Sequence, residues 1–172
     1  ARLLSLGRTA GRREWGAGGV WTIQCVVSSW GVVRQLGGWP RPPQRDFTRG
    51  RCKPYAGDGF VCAICHDDLL VGTVALTRGE LGYFMHPTHA GRGIMSAAVD
   101  KAIETGFVDE GHALLTASTW IDNAASHHLL TKRGFVHYRS EYIRSKARGS
   151  PAMVRQYRLT RDTWDRLRTG AQ

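Results

Sequence analysis

Residues 80–110 read ELGYFMHPTHAGRGIMSAAVDKAIETGFVDE, and this stretch decides the fold. The apolar run Leu81–Met85 predicts a strand, and a loop with Gly91 and Gly93 leads straight into a helix predicted over Ile94–Val108. The unpaired N–H groups and the dipole of a helix start attract anions, and glycine lets the backbone approach them closely. The sequence therefore predicts an anion-binding loop between this strand and this helix.

Further predicted elements surround this stretch. The runs Phe60–Cys65 and Leu69–Leu76 predict two strands that form an antiparallel meander with Leu81–Met85. Beyond the long helix we expect a strand, a helix capped by Asn123, a hairpin and a last helix capped by Thr160. Their bounds are Leu114–Thr119, Asn123–Arg133, Val136–Arg144, Met153–Leu159 and Thr160–Leu167. This order predicts an α/β fold, a mixed and mostly antiparallel sheet with one parallel crossover at the anion-binding loop and helices on both faces.

Residues 1–50 show no helical or strand period, and they hold nine of the 21 glycines and four of the six tryptophans. We therefore expect a poorly defined segment over 1–50 and a folded domain over 51–172. The apolar patch in residues 1–13 is too short for a secretory signal. No run approaches the roughly 20 apolar residues of a membrane helix. These features predict a cytoplasmic protein with no membrane partner.

The net charge of +10 is concentrated at the two ends of the chain. Residues 1–55 hold ten Lys/Arg against two Asp/Glu, and residues 136–172 hold nine against three. Basic ends can bind nucleic acid, including ribosomal RNA. We favour an ordinary solvated, arginine-rich surface over a nucleic-acid site.

Two common phosphate loops do not fit the anion-binding loop. No Gly-Lys-Ser/Thr follows, as a P-loop requires, and Ile94, Met95 and Ser96 stand where a dinucleotide fingerprint has its third glycine. A pyrophosphate held mainly by backbone N–H groups, with Arg92 nearby, fits better.

A second motif begins about 30 residues later, with an Asn-x-x-Ser sequence and then a Gly-Phe pair. Its residues are Asn123, Ser126, Gly134 and Phe135. Over roughly residues 58–165, the two motifs together resemble the GNAT superfamily of acetyl-CoA-dependent N-acetyltransferases, and most closely its ribosomal-protein alanine N-acetyltransferase branch. The loop of this family reads Gln/Arg-x-x-Gly-x-Gly/Ala, and here Thr88 takes the first position.

This resemblance implies a GNAT-like fold over 51–172 that uses acetyl-CoA as co-substrate and no metal. It also implies an amine acceptor, with a ribosomal or other protein among the candidates, and a monomer or homodimer. The implied cofactor-binding residues are Phe84, Met85, His86, His89, Ala90, Gly91, Arg92, Gly93, Ile94, Met95, Asn123 and Ser126.

Acetyl transfer to an amine needs a polarised thioester carbonyl, a base and a proton donor. Backbone N–H groups of a splayed strand near Phe84–His86 are expected to polarise the carbonyl. The resemblance implies that Ser126 donates to the departing thiolate, since Leu130 stands where many relatives have a tyrosine. It also implies that Glu141, followed by Tyr142, is the base.

Other interpretations stay open. Glu141 could form a surface ion pair with Arg139 or Arg155 instead, leaving His86, His137 or Tyr138 as the base. The protein could also be a catalytically weak or inactive GNAT-like module that binds coenzyme A or RNA. The string from Cys62 to His66 matches a haem-attachment motif, but residues three apart on a strand point to opposite faces, so we expect structural cysteines.

Overall fold

Six strands form one mixed sheet in the computed structural model, which describes residues 17–67 and 69–170. The strands are β1 (Gly59–His66), β2 (Leu69–Thr77), β3 (Glu80–Met85), β4 (Leu114–Trp120), β5 (Val136–Arg144) and β6 (Pro151–Thr160). Their order across the sheet is β1-β2-β3-β4-β6-β5. The β3–β4 pair is parallel and its neighbours are antiparallel, which confirms the predicted mixed α/β sheet.

Six α-helices and one 3-10 turn, Pro87–His89, complete the described part of the chain. The helices are α1 (Ala17–Ser28), α2 (Trp30–Val33), α3 (Arg45–Arg51), α4 (Ile94–Val108), α5 (Ala124–Thr131) and α6 (Arg161–Thr169). Helix α4 has the predicted bounds. Asn123 and Thr160 cap α5 and α6, accepting hydrogen bonds from the backbone N–H groups of Ser126 and Thr163.

Helix α5 ends two residues before the predicted Arg133. Its last turn tightens, because the N–H of Arg133 donates to the carbonyl of Leu130, three residues back. Gly134 then takes a left-handed conformation with φ of 81° and redirects the chain into β5.

Residues 17–51, in which the sequence shows no helical or strand period, form α1, α2 and α3. Helix α1 has glycines near its start and several β-branched residues, all of low helix propensity. Tertiary packing stabilises it instead, since Ile23, Val26 and Val27 are buried, whereas Trp21 is 60% exposed. The predicted lack of a secretory signal in residues 1–13 concerns a segment outside the described residues.

Each face of the sheet carries its own apolar core. One core joins the sheet to α4 and includes Leu81, Ala117 and Phe107, so we call this side the α4 face. The other core joins the sheet to α1 and includes Ile23 and Phe84, so we call this side the α1 face. Burying each such large side chain contributes about 1.5–3 kcal/mol, so both layers are firmly attached.

A charged cluster fastens the N-terminal layer to the sheet. Asp122, just after β4, accepts hydrogen bonds from Arg34 at the end of α2 and from Arg148 in the β5–β6 loop. The Arg148 guanidinium also donates to the carbonyl of Arg34 at 3.0 Å and lies over the ring of Trp120. Hydrogen bonds from Arg148 and Arg34 lower the pKa of Asp122 from 3.8 to about 2.

Candidate active site

A gap opens between the parallel strands β3 and β4. Their register includes Glu80 with Thr116 and Leu81 with Ala117, and then the strands separate. Beyond that point β3 stays paired with β2 as far as Met85, and β4 stays paired with β6 as far as Trp120. The gap therefore crosses an otherwise continuous sheet and connects its two faces.

Backbone donors of β3 line this gap. The N–H of His86 donates to the carbonyl of Val71 at 2.7 Å, so it points toward β2. Donor direction alternates along a strand, so the N–H of Phe84 also points toward β2, and those of Tyr83 and Met85 point into the gap. Within the expected stretch Phe84–His86, the N–H of Met85 therefore points into the gap, and those of Phe84 and His86 point toward β2.

The anion-binding loop follows the 3-10 turn after β3. Gly91 and Gly93 have φ of 76° and 74°, and a Cβ at either position would meet no atom within 4 Å. They are needed for their left-handed conformation, and the space beside them is open. The first hydrogen bond of α4 runs from the N–H of Ala97 to the carbonyl of Gly93, so the N–H groups of residues 94–96 precede the helical ladder. This open, donor-rich cradle fits a pyrophosphate.

The histidines of this loop are linked through a threonine. The Oγ1 of Thr88 lies 2.7 Å from Nδ1 of His86 and 3.1 Å from Nδ1 of His89. Partial desolvation and the neighbouring Arg92 guanidinium lower the pKa of His89. This shift favours the neutral imidazole of His89, which can accept or donate a hydrogen bond.

Ser126 contacts a strand residue that the sequence patterns did not single out. Its Oγ lies 2.7 Å from the hydroxyl of Tyr83, and burial raises the pKa of that tyrosine to about 12. Tyr83 therefore keeps its proton at neutral pH, and the two hydroxyls share a hydrogen bond beside the gap. Side chains alternate between faces along a strand, so Tyr83 lies on the α4 face with the buried Leu81. This alternation is the sequence pattern from which the position of Tyr83 could have been predicted.

Glu141 lies on the opposite face of the sheet. It pairs with Val154, which pairs in turn with Trp120, whereas Tyr83 shares the α4 face with Leu81 and Ala117. Its carboxylate accepts hydrogen bonds from Arg139 and Gln156, and 28% of its side chain is exposed. The sequence predicted an ion pair with Arg139 or Arg155 as the alternative to a catalytic role for Glu141, and the pair with Arg139 is present.

The alternative bases already have hydrogen-bond partners near the same strand. The hydroxyl of Tyr138 donates to Oε1 of Gln156 at 2.7 Å, and Nε2 of His137 lies 2.9 Å from Oγ of Ser140. His86 belongs to the anion-binding loop. Glu141 has hydrogen-bond partners as well, and it is the one carboxylate among these candidate bases.

A cleft of about 640 Å³ lies on the α1 face, directly over the gap. Residues 35–39 and 50–57 form one wall, and residues from all six strands, most of them from β2, β3 and β4, form the other. Ile143 lines the cleft two residues from Glu141, which is about 7 Å along the strand. The N-terminal layer, for which the sequence patterns predicted no structure, therefore forms part of this cleft on the α1 face.

Three further features of residues 17–67 and 69–170 concern metal ligands, cysteines and membrane spans. No group of three His, Cys, Asp or Glu side chains there could hold a metal ion. Cys25, Cys52 and Cys62 are free thiols. No helix formed by residues 17–67 or 69–170 is long and apolar enough to cross a membrane.

Comparison with known proteins defines the class. Residues 20–136 match the acetyltransferase (GNAT) domain family, and the chain belongs to this family of acyltransferases. The match confirms the resemblance that the two motifs carry. It begins inside residues 1–50, so the N-terminal layer is part of the matched region.

Individual relatives are more distant. The chain is 34% identical over 73 residues to the uncharacterized N-acetyltransferase YoaA of Bacillus subtilis, a match that covers 38% of this chain and 41% of that relative. The chain thus spans less than half the length of this curated relative.

Two solved structures share the fold. A ribosomal L7/L12 alpha-N-protein acetyltransferase in complex with coenzyme A has a TM-score of 0.67 at 18% identity, over 84% of this chain and 89% of that one. The spermidine N-acetyltransferase of Vibrio cholerae, in complex with coenzyme A and spermine, has 0.72 at 15% identity, over 88% and 95%. At such identities the likeness shows the fold alone.

Proposed function

We propose that the protein transfers an acetyl group from acetyl-CoA to a primary amine. The observation that carries this proposal is the gap between β3 and β4, which joins a pyrophosphate-type cradle to a closed-in cleft on the α1 face. A binding module has no need of such a passage through its sheet. A two-substrate transferase needs its substrates to meet at one point.

Different groups of the chain bind the phosphates and the thioester of acetyl-CoA. The N–H groups at the start of α4, with Gly91 and Gly93, hold the phosphates, and Arg92 adds a positive charge. When bound, acetyl-CoA supplies an acetyl group activated as a thioester. The N–H groups of Tyr83 and Met85 face the gap and donate to the thioester carbonyl oxygen, whose negative charge grows during the transfer.

One proton transfer and one hydrogen bond accompany the bond changes at the thioester. The amine nitrogen forms a bond to the carbonyl carbon, the C–S bond breaks, and the sulfur leaves with the bonding electrons. Glu141 takes the proton that the amine loses. Ser126 donates a hydrogen bond to the sulfur from the α4 face, and Tyr83 holds its hydroxyl in place. Glu141 must release Arg139 or Gln156, or act through a water, to reach the amine.

The acceptor belongs to one of two classes. The fold is shared with an enzyme that acts on a protein N-terminus and with one that binds spermine. The motif pattern of Ser126 and Glu141 resembles the ribosomal-protein branch and favours a protein α-amine. A small amine is the alternative.

Mass spectrometry of an acceptor panel tests the function. The purified protein is incubated with acetyl-CoA and a mixture of N-terminal peptides, polyamines and small amines, and a gain of one acetyl group is the expected product. Coenzyme A binding with no acetylated product from any amine would contradict the proposal and support the non-catalytic module instead.

A further inference from the structure

A β-bulge at Tyr138 decides which face of the sheet Glu141 occupies. His137 and Arg139 pair with successive residues of β6, so Tyr138 is an extra residue in β5. Side chains alternate along a strand, and one extra residue moves every later side chain to the other face. A regular strand would place Glu141 on the α4 face with His137, whereas the bulge places it on the α1 face, which holds the cleft.

The bulged tyrosine also contacts a hydrogen-bond partner of Glu141. The hydroxyl of Tyr138 donates to Oε1 of Gln156 at 2.7 Å, and Nε2 of Gln156 donates to Oε1 of Glu141. A carboxylate only accepts hydrogen bonds, so it requires the NH₂ side of the Gln156 amide and leaves the amide oxygen to Tyr138. The three side chains therefore form one continuous chain of hydrogen bonds that ends at Glu141.

The two carboxylate oxygens of Glu141 have unequal partners. Oε1 is bound by Gln156, which is half-buried and held at its other end by Tyr138. Oε2 is bound by Arg139, and 60% of the Arg139 side chain is exposed. Exposed ion pairs are weak because water and salt compete for both charges. Oε2 is therefore the oxygen that is freed more easily.

We propose that Gln156 is a positioning residue for the base, and that it holds Oε1 of Glu141 while Arg139 gives up Oε2 to the acceptor amine. This rests on the proposed function, and it decides which of the two partners Glu141 releases. The N–H bond of the amine breaks, its proton bonds to Oε2, and its electron pair stays on the nitrogen. Tyr138 fixes the Gln156 amide and so acts through it.

Steady-state kinetics on single variants test these roles. Gln156→Met keeps the length of the side chain and removes its N–H donor, so kcat should fall about tenfold, as expected for one hydrogen bond to a charged group. Tyr138→Phe leaves the amide free to turn and should lower kcat about threefold. Arg139→Gln removes the competing cation and should raise kcat about twofold. The KM for acetyl-CoA should stay within about twofold in all three.

Double variants distinguish positioning from a structural role. In a Glu141→Gln background, Gln156→Met should cause no further fall in kcat, because its effect passes through the lost carboxylate. Tyr138→Phe combined with Gln156→Met should match Gln156→Met alone. A side chain that only supports the fold would lower kcat about equally in every background.

Nuclear magnetic resonance of the free protein tests the hydrogen-bond chain without turnover. The side-chain NH₂ signals of Gln156 are identified by their absence in Gln156→Met. They should shift in Tyr138→Phe and in Glu141→Gln. Arg144→Gln, which removes an exposed cation later in β5, is the control and should leave them in place.

The outcomes separate this inference from the proposed function. An unchanged kcat in Gln156→Met, beside a loss in Glu141→Gln, would overturn the inference and leave the acetyltransferase function in place. A tenfold fall in Arg139→Gln would assign the holding role to Arg139 and would also overturn it. Failure of the parent to acetylate any amine would overturn the proposed function itself.

Discussion

The hydroxyl of Tyr83 restricts the orientation of the Ser126 hydroxyl through a hydrogen bond. A serine hydroxyl rotates freely, and a hydrogen bond of 2.7 Å to a tyrosine restricts that rotation. Because burial keeps Tyr83 protonated, two hydroxyl hydrogens are present and only one lies between the oxygens. In the proposed reaction, the other can be donated to the departing sulfur.

A substitution of Glu141 tests whether this residue is the base of the proposed reaction. Glu141→Gln keeps the shape of the side chain and removes its capacity to take a proton, so we expect kcat to fall about 100-fold or more. The KM for acetyl-CoA should stay within about twofold, since the anion-binding loop is untouched. Steady-state kinetics with both substrates varied measures this.

Glu104→Gln is the matched control, because Glu104 pairs with Lys101 on the outer side of α4. Its kcat should equal that of the parent. Should Glu141→Gln also equal the parent, the ion pair with Arg139 would be the whole role of Glu141, and another group would be the base.

At the scale of elements, the loop before α4 depends on backbone conformation more than on side chains. Gly93→Ala adds a methyl group into open space, so no clash arises, but alanine resists a φ of 74° by about 1–2 kcal/mol. We expect the dissociation constant for coenzyme A to rise about fivefold to 30-fold, as calorimetry would show. Gly18→Ala, within α1 and also in open space, should leave binding unchanged.

Some helices could be predicted from their own sequences and others could not. Helix α4 was predicted to the residue, because a glycine precedes it and one of its faces is consistently apolar. Helix α1 was not, because Trp21 is exposed while Ile23 is buried, and because glycine and valine have low helix propensity. Its stability comes from a sheet that lies later in the chain.

The candidate site also combines residues that local sequence patterns predicted with contacts that they did not predict. Gly91, Gly93 and Asn123 act through local backbone geometry, so spacing alone revealed them. The contact of Ser126 with Tyr83 and the cleft on the α1 face arise from segments far apart in sequence. No local pattern encodes such contacts.

At the scale of the whole molecule, Asp122 links the N-terminal layer to the sheet. Its pKa is depressed from 3.8 to about 2, so its contribution to stability is present above pH 4 and is lost as the pH falls toward 2. The shift corresponds to at most about 2.5 kcal/mol, and solvent screening of a side chain 32% exposed reduces this to about 1 kcal/mol.

Asp122→Asn should therefore lower the free energy of unfolding by about 1 kcal/mol at pH 7, as urea titration would show. The difference from the parent should vanish near pH 2. Asp58→Asn, at an exposed position, should have no such effect. A constant difference between pH 7 and pH 2 would mean that Asp122 acts through its shape and not its charge.

The gap in the sheet has a kinetic consequence. In the proposed reaction, coenzyme A binds at the anion-binding loop and the acceptor enters the cleft on the α1 face, so neither blocks the other's route. The order of addition should therefore be free, and both substrates must be present before any product leaves. Initial-velocity plots should intersect, and parallel lines would instead indicate a stepwise exchange through an acetylated protein. If the proposed function is correct, one opening between two strands lets a single sheet keep its two substrates on separate approaches until they react.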